Sequence, residues 1–169
     1  MDGLTLLLQV HVALSLIGIA SGLVVLYGMV TGSLFAGWTA LFLVSTILTS
    51  VTGFPLPPYG FDPPRAIGVL SLVLLAAAVA GLYLFHLAGA WRWIYVVTAV
   101  AALYLNTFVG VVQAFQKLPF LQPLAPTQSE PPFVIAQVAA LVAFIAIGVL
   151  AVIRFHPQLK SADTLSKLA

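Results

Sequence analysis

Asn106 and Gln113 stand seven residues apart inside an apolar run that begins at Trp91. Seven residues are two helical turns, so both amides fall on one helix face, with Ala99, Ala102, Gly110 and Lys117. His11, in an earlier apolar run, shares a face with Ser15, Gly18 and Gly22. Thr49 and Thr52 close a run that also holds Ser45, Thr46 and Ser50, and Gln137 heads a stripe with Ala140, Phe144, Gly148 and Ala151. Amides, hydroxyls and imidazoles are costly in hydrocarbon unless paired, so each of these must point at protein. Amides and hydroxyls can hold a ligand or join helices through hydrogen bonds worth roughly 0.6–2 kcal/mol each. An imidazole can in addition ligate haem iron or pass a proton. A second group, His86, Arg92, Arg154 and His156 flanked by Trp91 and Trp93, offers either a lipid-headgroup belt or two histidines for haem or a metal.

The elements that must position these residues follow from composition. The chain has 169 residues, of which 62% are hydrophobic and 6% charged. Soluble domains are about one-quarter charged, so this surface is built for lipid. Apolar runs of spanning length predict an all-α, polytopic membrane bundle of five helices over 4–30, 34–54, 65–88, 91–117 and 132–155, with a short polar tail at 156–169. Five spans put the termini on opposite sides. Arg92, Arg154, Lys160 and Lys167 gather on one side against Arg65 and Lys117 on the other. The positive-inside bias predicts an outer N-terminus and a cytoplasmic C-terminus, and Trp38, Trp91 and Trp93 fall on the same inner side as an aromatic belt.

That topology places His11, Thr49, Thr52, Asn106, Gln113 and Gln137 at similar depth in the outer half. Above them lie two loops carrying ten of the eleven prolines. Proline stiffens such loops. The expectation is an outward-facing polar pocket beneath them that takes a small apolar or amphipathic ligand. Gly18-Ile19-Ala20-Ser21-Gly22 permits close helix approach and, with other glycine-lined faces, predicts a homo-oligomer or a subunit of a larger membrane complex.

Several functions are excluded. Without cysteine there is no disulfide, thiolate or iron–sulfur chemistry. No phosphate-binding loop, zinc-protease or serine-hydrolase motif is present. No carboxylate falls inside a span, which argues against an acidic proton relay. The surplus of two positive charges implies no nucleic-acid partner. A single bis-histidine haem b cannot use His11 with His86, which lie at opposite depths, but His86 and His156 share one.

The segments HLAGAWRWIYVVTAVAALYLN, QAFQK and APTQSEPPF resemble a group of small bacterial polytopic inner-membrane proteins. The resemblance covers most of the chain from His11 onward. It implies the bacterial cytoplasmic membrane and carries no established activity. The expectation for function is a non-enzymatic binding or accessory membrane protein. The rivals are a redox protein binding haem b or quinone, and a small-solute channel or transporter, which the lack of charged pore residues disfavours.

Overall fold

The computed structural model describes residues 2–57 and 63–157. Asp62, Lys160, Asp163 and Lys167 lie outside them. Five helices are each long and apolar enough to cross a membrane. They are α1 (Gly3–Val30), α2 (Ala36–Gly53), α3 (Pro63–Val79, continued by a π-helical turn at Ala80–Leu84), α4 (Trp91–Lys117) and α5 (Pro131–Arg154). Among the described residues there is no strand.

The ends of these helices have local causes. Asp2 caps α1, its carboxylate accepting from the Thr5 amide at 3.0 Å and from the Thr5 hydroxyl. These bonds hold the Asp2 carboxyl below its ordinary range. Gly32, at φ 76°, turns the chain out of α1, where a side chain would be strained. Glu130 precedes α5, and Pro131 and Pro132 occupy its first turn, where the missing amide hydrogens are not needed. The third helix stops at Leu84, short of the 88 expected from the sequence. Phe85 donates to Ala80 and Leu87 to Gly81, both at 2.9 Å, and His86 and Leu87 adopt φ of 48° and 58°. Left-handed backbone at two successive non-glycine residues cannot continue a helix.

Consecutive helices run antiparallel, and α4 is central, packing on α1, α3 and α5. Its buried face carries Tyr95, Val96, Ala99, Ala102, Leu103 and Asn106. Gly18 and Gly22 are buried within this chain. A Cβ on Gly18 would sit 2.9 Å from Asn106 Nδ2 and 2.9 Å from Thr46 Oγ1, and one on Gly22 would meet Leu103 and Phe42. The close approach predicted for this pair is thus made to α2 and α4, and that face is not left for a second copy. By contrast α5 buries only Gln137 and Ala151 of its own residues.

Candidate functional site

His11, Ser15, Thr46, Thr52 and Asn106 form a polar seam between α1, α2 and α4. Thr52 turns its hydroxyl back to the Leu48 carbonyl at 2.7 Å, as hydroxyls in apolar helices do. The His11 Nδ1 stands 3.0 Å from the Thr52 oxygen and is hydrogen-bonded to it, with the proton supplied by either partner. Among the described residues none forms a hydrogen bond with Nε2, and the atom is not sealed from the surface. Gly53 makes room for the ring, since a Cβ there would stand 3.3 Å from His11 Cε1. Thr49 lies beside the same imidazole, but its own hydroxyl is bonded to the Ser45 carbonyl at 2.8 Å.

One turn deeper, Ser15 donates to Asn106 Oδ1 at 2.8 Å and Asn106 Nδ2 returns a bond to the Ser15 carbonyl at 3.2 Å. Asn106 is 8% exposed, so its reciprocal pair with α1 leaves the amide little to offer a ligand. The Thr46 hydroxyl, packed over Gly18, is buried with no hydrogen-bond partner among the described residues.

The other expected site residues lie elsewhere. Gln137 is buried on a different face, where its Nε2 donates to the Phe108 carbonyl at 3.2 Å and its Oε1 has no partner among the described residues. Gln113 is exposed on the surface of α4. It lies two turns beyond Asn106 on the same stripe, where its side chain is not covered. His86 and His156 are both exposed, after the far ends of α3 and α5. No group of three or more histidine or acidic side chains that could hold a metal occurs among the described residues.

Two arginines do work that their place in the sequence does not reveal. Arg92 Nη1 donates to the carbonyls of Val152 at 3.0 Å and Phe155 at 2.8 Å, closing the C-terminus of α5. Arg65 Nη2 donates to the Phe54 and Leu56 carbonyls at 3.2 and 2.7 Å, doing the same for α2. A cation at the first turn of a helix whose neighbour runs antiparallel is the signal for such a bond. Further in, the hydroxyls of Thr39 and Tyr95 face one another, outside hydrogen-bonding geometry, with both residues 0% exposed. The loop between α4 and α5 is tied down as well. Gln128 Nε2 donates to the Val112 carbonyl at 3.2 Å, and Gln116 Nε2 to Gln128 Oε1 at 3.3 Å.

Comparison with known proteins finds no matching family model, curated protein or solved structure.

Proposed function

We propose that this chain is a non-enzymatic binding subunit of the bacterial cytoplasmic membrane, with its C-terminus inside, that holds the polar head of a small amphipathic molecule at His11. The observation that carries this reading is the placement of the imidazole. Nδ1 is held on Thr52, which fixes the ring and leaves Nε2 without a hydrogen-bond partner among the described residues, at the outer end of the α1–α2 seam. Ser15, Thr49, Asn106 and Gln137 each make hydrogen bonds to protein. They set the frame, and His11 makes the contact. With its proton on Nδ1 the ring accepts at Nε2, and the matching ligand is then a quinol or another membrane-soluble phenol or alcohol rather than a fully oxidised quinone, which has only acceptor oxygens. The same lone pair can ligate haem iron, and the orienting bond at Nδ1 is the kind that supports a ligating histidine. That is the second reading.

The test is binding of a short-chain quinol to the purified protein in lipid nanodiscs. The wild type should take up one equivalent, and His11→Ala should weaken binding at least tenfold while the protein stays monodisperse. Equal binding by the variant would sink the proposal. A Soret band in the absorption spectrum, lost in His11→Ala, would instead select the haem reading.

A further inference from the structure

We infer that the groove between α4 and α5 is a binding site for one acyl chain of an anionic phospholipid, whose headgroup rests on Arg154 and Arg92. The groove has a volume of about 420 Å³ and is lined by Val97, Ala101, Tyr104, Phe144, Gly148 and Val152, among other apolar residues. On α5 its lining runs from Leu141 to Ile153, which at helical rise is about 18 Å. One leaflet of a bilayer core is about 15 Å thick, so the groove is as long as one leaflet is deep. The groove is long and narrow, a shape that an extended hydrocarbon chain fills along its length.

The polar end of the occupant follows from what stands at the mouth. Ile153 and Val152 line the groove's end, and Arg154 follows them, exposed, as the last residue of α5. Arg92 reaches the same place from α4, its Nη1 held on the carbonyl of the groove residue Val152. Its Nη2 and Nε make no hydrogen bond among the described residues and remain able to donate. Trp93, 48% exposed, stands beside it at the level of an interfacial belt. Two guanidiniums at the end of a chain-shaped apolar slot match a phosphate headgroup with its tail in the slot. This site lies at the end of the bundle opposite His11 and does not depend on the proposal made for that residue.

The experiment is native mass spectrometry of the full chain released from vesicles of equal parts phosphatidylglycerol and phosphatidylcholine. One retained phosphatidylglycerol per chain is expected, favoured at least fivefold over phosphatidylcholine. Arg154→Gln should reduce that preference at least threefold. Ala101→Phe, which fills the slot, should reduce retained lipid of either kind at least fivefold. Equal retention of the two lipids by the wild type would overturn the inference. So would unchanged lipid on a monodisperse Ala101→Phe protein, or a lipid-free dimer that Ala101→Phe dissociates. If Ala101→Phe aggregates, Arg154→Gln decides alone, because its side chain is at the surface, and an unchanged lipid preference there counts against the site.

Discussion

Two of the seams of α4, that with α1 and α2 and that with α5, are built on opposite terms. Against α1 and α2 it is glycine-lined, buried and hydrogen-bonded, with Gly18 beneath Asn106 and Ser15 bonded to its amide. Against α5 it is almost wholly apolar along its middle, with Tyr104 tilted on Phe144 at 5.7 Å and a groove left open beside them, while Gln137 reaches the Phe108 carbonyl toward one end. Lipid tails are as apolar as leucine, so an apolar helix face gains little by leaving lipid for protein. Close packing and interhelical hydrogen bonds must supply the preference instead. The first seam has both and specifies a register. The second has few of either, and it is fastened at its ends, by Arg92 on the last carbonyls of α5 and by the edge-on contact of Phe115 with Phe133 at 5.5 Å. A seam held at its ends can leave a slot along its middle.

The comparison breaks most readily at the glycines. Gly18→Leu puts atoms where Asn106 Nδ2 and Thr46 Oγ1 already stand 2.9 Å from a Cβ. It should cost about 3 kcal/mol or more, by overpacking and by parting the Asn106 pair. A heat-stability scan in detergent should show the largest loss of the series. Gly148→Ala on the other seam meets only Val100 Cγ1, at 3.2 Å, and should change the same scan by less than about 1 kcal/mol. If the two glycines cost alike, the seams do not differ in the way described.

The hydrogen bonds sharpen the point. Asn106→Leu and Ser15→Ala should each destabilise, and their double-mutant cycle should return a coupling of roughly 0.6–1.7 kcal/mol, the range known for interhelical bonds in membranes. A coupling near zero would assign the seam's stability to shape alone. On the same helix stripe, Gln113→Leu should lie within about 0.5 kcal/mol of the wild type, since its side chain is exposed. A large loss there would mean that Gln113 meets a partner that this single chain lacks.

The smallest effect is expected at the start of α5. Burial works against the charge on Glu130, but bonds from the Thr127 amide and hydroxyl and from the Ser129 amide outweigh it and hold the carboxyl below its ordinary value. A lowered carboxylate pKa contributes stability that is present above the unfolded value, about 4.3, and is lost as pH falls through the folded one. Acidification from pH 5 to pH 3 should therefore loosen the α4–α5 loop in hydrogen exchange, and Glu130→Gln should abolish that dependence. Loosening that persists in the variant would place its cause elsewhere.

The reach of the sequence differs between these residues for a physical reason. Hydropathy marks spans because each helix meets lipid by itself, and the cost of a charge in hydrocarbon is local. Five apolar helices and the close approach at Gly18 and Gly22 were therefore legible from residue types and spacing alone. Which polar side chain a neighbouring helix covers is decided only when the bundle packs. The stripe through Asn106 and Gln113 is continuous in sequence, yet α1 covers Asn106 and leaves Gln113 exposed. Arg92 belongs to α4 by sequence and to the end of α5 by its hydrogen bonds. The orientation of the His11 ring depends on a hydroxyl forty-one residues away. Helix identity is a sum over single residues, whereas the site is a set of pairs, and tertiary structure alone chooses the pairs.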